Sequence, residues 1–438
     1  MILCSTIPAS KDHGLRKSLH GALWRSIQPI SLNIISLPAM AYIIRQLGPA
    51  GYGTWTTATS LVAATSVLTS LGLRGTFIRG VAQDPDSAPA AFADQLGTRI
   101  CLTLLAMAVA ILSSIFIGYN SLIVQCTAIA ALGMLFSAIW TTASDLLESQ
   151  QHLPATAAAA MIAGLLLTGV SVIVIWLGAG PVALSLAYLI GPLASLWIFF
   201  SVLRREHFPI TAHFKLRRSL GLLWQSRHFT AQMLLSTLNG SLAMLMLPKL
   251  VGLASFGLYS AGVLLISRVA VFPDAIGTAF YPLIAKSNRV DRKLAQHHAL
   301  VGISVALFTC LCVAVPTALL AGFVARILFP KQPAGCEHVI AITIWALPLV
   351  GIETMLGYSL NAAGKEAVQA RRSFWSSIVG LAIGAVLVGG WKLEGACWFM
   401  LIRSAVQIAF VLPVFVVAFA TPKAGHRAVP AVALESVS

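Results

Sequence analysis

The sequence is poor in charge. Charged residues fill 10% of its 438 positions, against roughly 25% in an average soluble domain. Acid is the scarcer sign, with 14 Asp and Glu against 29 Lys and Arg. Together with a hydrophobic content of 58%, this excludes a soluble globular protein, because one core could not hide that much apolar surface. Catalytic signatures are missing as well. The chain has no GxxxxGK[ST] phosphate loop, no HExxH and no GxSxG elbow, so nucleotide hydrolysis, zinc-protease and serine-hydrolase chemistry find no support. The seven cysteines (Cys4, Cys101, Cys126, Cys310, Cys312, Cys336 and Cys397) are odd in number and lack metal-ligand spacing. They read as small apolar residues, and neither a metal nor a cofactor is expected. Long loops are also lacking: the longest on the side away from the basic residues, 321–337, is too short to house a glycosyltransferase or ligase site.

What fills the sequence instead is apolar runs near the ~20 residues that one bilayer crossing needs. Twelve such runs fall at about 22–44, 54–73, 98–118, 121–143, 157–177, 181–203, 228–248, 254–273, 298–320, 338–359, 374–390 and 395–419. Helices are the physical reading, since a lipid-facing strand edge would leave backbone groups unpaired. A β-barrel would show short alternating segments, which this chain does not. The expected fold is an all-α polytopic membrane protein of about twelve transmembrane helices.

The formal net charge of +15 serves topology rather than nucleic-acid binding. With the N-terminus in the cytoplasm, 22 of the 29 basic residues fall on the cytoplasmic side and five opposite, while Arg268 and Arg403 lie inside spans. That asymmetry follows the positive-inside rule and puts both termini in the cytoplasm. Residues 1–21 lack a cleavage pattern after a short apolar core and read as a cytoplasmic segment before an uncleaved first helix.

One phrase occurs twice. GPAGYGTWT (48–56) returns as GLASFGLYS (252–260), pairing Gly48 with Gly252, Tyr52 with Phe256, Gly53 with Gly257 and Trp55 with Tyr259. Each copy sits between the first and second helix of a six-helix half. LESQQHLPATA (147–157) and LNAAGKEAVQA (360–370), like GPVALSL (180–186) and GACWFML (395–401), recur in corresponding places. The halves are thus expected at 22–203 and 228–419, joined by a basic connector at 204–227 and followed by a cytoplasmic tail at 420–438. An even number of helices per half predicts a pseudo-two-fold axis along the membrane normal. The connector's apolar spacing suggests an interfacial amphipathic helix. In the phrase, glycines permit a tight turn and close helix approach, and its aromatic residues are expected to anchor at the membrane interface.

LGPAGYGTW (47–55), following a first span headed by basic residues, resembles the polysaccharide exporters and O-antigen flippases of the multidrug, oligosaccharidyl-lipid and polysaccharide transporter superfamily, and LNAAGK (360–365) is a looser match. The resemblance runs over all twelve spans. It implies two six-helix bundles around a central cavity and the movement of lipid-linked oligosaccharide across the bacterial inner membrane, in lipopolysaccharide O-antigen or exopolysaccharide biosynthesis. The expected partners are that substrate, membrane lipids and polysaccharide polymerase machinery, with no nucleic acid.

Polar residues recur on the first helix of each half. Arg25, Pro29, Asn33 and Ser36 have the spacing of His228, Gln232, Ser236 and Asn239, which places each set on one helix face. Unpartnered polar groups are costly in hydrocarbon, so these faces either line a central cavity or bond neighbouring helices. Pro29 and Pro38 are expected to bend the first helix. Arg268 and Arg403 cost about 2.5–3.5 kcal/mol each at a bilayer centre. A substrate diphosphate would pair with either guanidinium; the alternative is a salt bridge to Glu353 or Asp274. Glu353 is the one carboxylate expected deep in a span, as an ion-coupling group or as an arginine's counter-charge. Asp145 and Glu148 are expected to cap span four at the surface. Together these readings point to a flippase for polyprenyl-diphosphate oligosaccharide, moving it from the cytoplasmic to the outer leaflet. Arg25, Arg268 and Arg403 would face the diphosphate, and Asn33, Gln232, Ser236 and Asn239 the sugar hydroxyls. A cation-coupled drug exporter, a membrane-embedded polymerase or ligase, and a structural subunit are the alternatives.

Overall fold

The computed structural model describes residues 9–71, 88–149, 153–206, 227–331 and 333–420, with isolated positions at 73, 74, 77, 81, 84 and 221. Inside these ranges the side chains before residue 31, and several near the connector and at helix ends, are not described. Arg25, Gln232 and Ser236 are among them, so those expectations, with most of the 204–227 connector and both termini, lie outside the described residues.

Every delimited element is helical, as a chain that must satisfy its backbone polar groups within lipid requires. In order they are α1 (Ala9–Ser66), a 3₁₀ turn (Val67–Thr69), α2 (Ala88–Phe116), α3 (Ser121–Ser149), α4 (Leu153–Trp176), α5 (Pro181–Ala187), α6 (Ile190–Glu206), α7 (Arg227–Val269), α8 (Val271–Val290), α9 (Arg292–Leu319), α10 (Ala321–Leu328), α11 (Pro333–Thr343), α12 (Ala346–Ala362) and α13 (Glu366–Ala420).

Three of these are hairpins. α1 breaks at Gly48 (φ 66°) and α7 at Gly252 (φ 81°), the first glycine of each repeated phrase. Only glycine takes that left-handed region without strain. α13 turns at Lys392 (φ 49°). Side chains on either side of the breaks in α7 and α13 meet: Ser260 reaches Met244 Sδ at 4.0 Å, and Gln407 Nε2 donates to Ser373 Oγ at 2.7 Å. Eight helical segments are long and apolar enough to cross a membrane, and two of them, Thr237–Asn288 and Glu366–Phe419, contain such a reversal. With the two arms of α1 this makes twelve passes among the described residues, in two sets of six. Large apolar side chains such as Phe308 and Val386 point outward, 69% and 74% exposed, as a lipid-facing surface requires.

The repeated phrases meet each other. A Cβ on Gly53 would lie 1.9 Å from Leu253 O, and one on Gly257 would lie 2.0 Å from Pro49 O. Each glycine thus faces the counterpart of its own neighbour, the mark of an isologous contact across a two-fold axis. The backbones of the two halves cross here with no room for a side chain. Beneath the crossing, Ile43, Ile44, Tyr52 and Trp55 pack with Leu184 of the same half and with Ala261, Ala325 and Ile340 of the other.

Three expectations need correction. The phrase's aromatic residues do not anchor at a membrane interface: Tyr52, Trp55, Phe256 and Tyr259 are buried, because the phrase lies between the halves. Hydropathy marked only the hydrocarbon part of two helices. α2 begins at Ala88 rather than near 98, and the second arm of α7 continues through α8 to Val290 rather than ending near 273. Finally, the stretch 321–337 expected as a loop holds α10 and the start of α11.

Candidate functional site

Each half encloses a cavity, and an arginine ties one half to the other. The cavity of the C-terminal half, about 340 Å³, is lined by polar residues from four helices. α7 supplies Asn239 and α8 supplies Asp274. α12 gives Glu353, Tyr358 and Asn361, while the two arms of α13 give Gln369, Ser373 and Ser377, then Arg403 and Gln407. Small residues make the room. Gly380 lies against the Asn239 amide, where a Cβ would come within 2.8 Å, and Gly277 receives the Tyr358 ring. Gln407 braces the two arms by bonding Ser373 and Ser376.

The charges here are not locked together. Arg403 Nη2 donates to Ser404 Oγ at 3.5 Å, and its charge acts on Glu353 across the cavity. Among the described residues, Glu353 Oε2 and Asn239 Oδ1 are buried acceptors with no hydrogen-bond partner. A buried acceptor left open costs about 1–3 kcal/mol, so such a group is stabilised by whatever proton, cation or hydroxyl reaches it.

The N-terminal half solves the same problem differently. Its cavity, about 430 Å³, is lined mainly by hydroxyl and apolar side chains, among them Thr59, Ser66, Ser137 and Thr141, with Arg99 in its wall. Arg99 is 1% exposed and donates to Asp145 Oδ2 at 3.0 Å and to Thr142 Oγ1 at 3.2 Å. Gln95 Nε2 donates to the same carboxylate oxygen at 3.1 Å, and Arg74 Nε lies 3.4 Å from the other while also bonding Glu148. The sequence reading missed this cluster. It counted Arg99 among surface charges and took Glu353 as the one deep carboxylate, whereas Asp145 is 2% exposed. The signal was available in the spacing of Gln95 and Arg99, one turn apart on one face of α2.

The tie between halves joins two predicted site residues. Arg268 Nη1 donates to Asn33 Oδ1 at 2.8 Å and to Ser36 Oγ at 3.0 Å. Arg268 also lines a pocket of about 150 Å³ with Ser36, Thr168, Ser171 and Tyr188 of the opposite half. Asn33 and Asn239 do not come together: the first faces Arg268 at the junction, the second faces the interior of its own half. Cross-half contacts exist at both ends too. Lys249 Nζ donates to Gly118 O at 2.7 Å at the glycine end, and Thr230 Oγ1 donates to Leu71 O at 2.9 Å at the basic end. Glu353, Arg403 and Asn239 share one cavity; Asn33 and Arg268 share a hydrogen bond elsewhere.

Residues 42–336, reaching from the first arm of α1 into α11, match the family described as polysaccharide biosynthesis protein. The chain belongs to that family. No curated protein matches it. Among solved structures, an inward-facing multidrug resistance MATE family transporter of the MOP superfamily superimposes with a TM-score of 0.67 at 16% identity, covering 90% of this chain and 99% of that one. The lipid II flippase MurJ in an inward closed conformation gives 0.69 at 14% identity, covering 90% and 87%. A eukaryotic MATE transporter, AtDTX14, gives 0.59 at 12% identity, covering 92% and 96%. These likenesses establish the fold, a polytopic, two-bundle helical architecture.

Proposed function

We propose that the chain flips a polyprenyl-diphosphate-linked oligosaccharide from the cytoplasmic to the outer leaflet of a bacterial inner membrane, with both termini in the cytoplasm. One observation carries this reading: a polysaccharide biosynthesis family member has the fold of a lipid II flippase and keeps a polar, charge-bearing cavity inside a membrane bundle. Arg403 meets the diphosphate, since a guanidinium pairs bidentately with phosphate oxygens. Asn239 and the amides around it meet sugar hydroxyls. Glu353, with an open acceptor, takes up the coupling proton or cation. Arg25, Gln232 and Ser236 belong to the same proposed path, and Arg268 with Asn33 joins the halves that rock about it. No phosphate-cradling motif occurs in the sequence, so on this reading an ion gradient, a substrate gradient or product trapping supplies the drive.

The test is leaflet accessibility in proteoliposomes loaded on one side with a polyprenyl-diphosphate oligosaccharide, for the wild type and Arg403→Ala. Protein-dependent transfer that falls sharply in the variant supports both function and site. Transfer unchanged by Arg403→Ala keeps the function and discards the site. The MATE likeness and the carboxylates of the C-terminal cavity favour a second reading, cation-coupled drug export, which gains if an organic cation moves and no lipid-linked sugar does.

A further inference from the structure

The glycine end of the molecule is closed in two unlike ways. The backbone contact of Gly53 and Gly257 is shared by both halves, but the cation three residues before each break is not used alike. Arg45 in α1 is exposed and, among the described residues, makes no hydrogen bond, ion pair or ring contact. Lys249, its counterpart in α7, crosses to the other half. Its Nζ donates to Gly118 O at 2.7 Å and lies 5.1 Å from the centre of the Tyr119 ring. What receives it is the end of α2. That helix closes on Gly118 (φ 74°), with Gly118 N donating to Ile115 O at 2.8 Å and Tyr119 N to Ser114 O at 3.2 Å, as a left-handed glycine commonly ends a helix. Such an end carries partial negative charge, and α2 has no basic residue in its last turn to offset it. The other half supplies that charge.

Tyr119 continues the contact inward. It packs with Ala58, Ile123, Cys126 and Val182 of its own half and with Leu253 of the other, the residue whose carbonyl meets Gly53. Arg45 has no equivalent receptor. α9, the counterpart of α2, runs through Leu320 (φ −99°) straight into α10, whose Ala321, Ala325 and Leu328 pack on Ile43 and Ile44. One side of the two-fold is therefore closed by an apolar helix and the other by a single exposed cation. We propose that Lys249 is the latch of the glycine end: docked on Gly118 and Tyr119 it holds the halves together there, and its release lets them part at that end. A contact made only in the closed state shifts the equilibrium by its own strength and no more. A surface cation–π contact and a helix-dipole contact are each small, so this latch biases the closed state without locking it. The proposal rests on the reading above that the halves rock against each other, and not on what they carry.

The test is hydrogen–deuterium exchange of the full chain in nanodiscs, which follows the population of open states. Two peptides are read by mass spectrometry: 114–124, the end of α2, and 49–57, the phrase of α1 on the far side of the crossing. Lys249→Met should speed exchange at both about fivefold, the combined effect of its two contacts. Tyr119→Leu, which removes only the ring, should speed both about threefold. Lys249→Arg keeps the cation and should stay within about twofold of the wild type, as should Arg45→Met, whose cation holds nothing. Faster exchange at 114–124 alone would make Lys249 a cap of α2 and overturn the latch. Equal effects from Arg45→Met would assign them to charge at this end in general and overturn it too, as would Lys249→Met with both peptides unchanged. The leaflet-transfer assay is read separately. If no lipid-linked sugar moves while exchange changes as expected, the proposed cargo fails and the latch stands.

Discussion

In the N-terminal half, the buried Arg99 is held on several sides by Asp145, Thr142 and, through the shared carboxylate, Gln95. In the C-terminal half, Arg403 stands in a cavity wall with Glu353 and Asp274 in the same cavity and a single weak bond to its sequence neighbour. The two halves carry the same turn phrase and pack reciprocally through it, so their scaffolds are copies while their interiors are not. A charge locked into an ion pair supports a bundle but offers nothing to a ligand. A charge left facing a cavity does the reverse: it weakens the bundle and waits for a partner. On the function proposed above, the N-terminal half would supply support and the C-terminal half chemistry.

Breaking the locked pair should have the largest effect. Asp145→Asn strands Arg99 in a buried site, and removing one partner of a buried pair costs about 3–5 kcal/mol. Thermal unfolding of the detergent-solubilised protein should show a large drop. Glu353→Gln loses no hydrogen bond to Oε2 and should cost under about 1 kcal/mol. Equal losses would erase the distinction between the halves. Transport should rank the same variants in the opposite order. Per folded molecule, Glu353→Gln should slow leaflet transfer at least about tenfold, a barrier increase of about 1.4 kcal/mol, and Asp145→Asn should change it little. A Glu353→Gln protein that transfers substrate at the wild-type rate would remove the ion-coupling role.

The similarity between the halves can be tested as directly as their difference. Gly53→Ala and Gly257→Ala each drive a methyl group into a backbone carbonyl of the opposite half. Each should cost about 1–3 kcal/mol, as overpacking does, and by nearly the same amount, because the contact is reciprocal. Gly51→Ala, whose Cβ would meet only the Leu47 side chain at 3.4 Å, should be tolerated. A large difference between Gly53→Ala and Gly257→Ala would show that the two copies of the phrase are not energetically equivalent.

The fold was largely legible in the sequence because each pass is a local event. A run of about twenty apolar residues must be helical in lipid, and a phrase repeated at one place in each half fixes the symmetry. That the phrase's glycines allow close helix approach was legible; which backbones Gly53 and Gly257 meet was not, since each partner lies some 200 positions away. The site was legible in part. Glu353, Arg403 and Asn239 stood out as polar residues in apolar runs and do share a cavity. Asn361, Gln369 and Gln407 were passed over because uncharged amides barely disturb a hydropathy trace. Arg99 and Asp145 were misread for the opposite reason: charge near the end of an apolar run looks like a loop, and only the pairing of α2 with α3 reveals that both are buried.

The junction between the halves offers the smallest and most specific test. Arg268→Gln removes the charge but leaves an amide that can still donate to Asn33 or Ser36, while Asn33→Ala removes the acceptor and leaves the charge. Side-chain hydrogen bonds between membrane helices average about 0.6 kcal/mol and reach about 1.7, so each single variant should lower thermal stability only slightly. If the bond at 2.8 Å is what ties the halves, combining Asn33→Ala with Arg268→Ala, which removes the donor outright, should cost less than the sum of the two singles, and that double-mutant cycle should return a coupling of that order. The sharper readout is conformational. Because the tie crosses the pseudo-two-fold axis, its loss should raise the accessibility of a cysteine placed at Ser171, in the pocket that Arg268 lines, with the Gly53–Gly257 contact intact. Additive losses in the cycle, with Ser171→Cys no more accessible than in the parent, would make Arg268 a residue of one half that happens to lie beside the other.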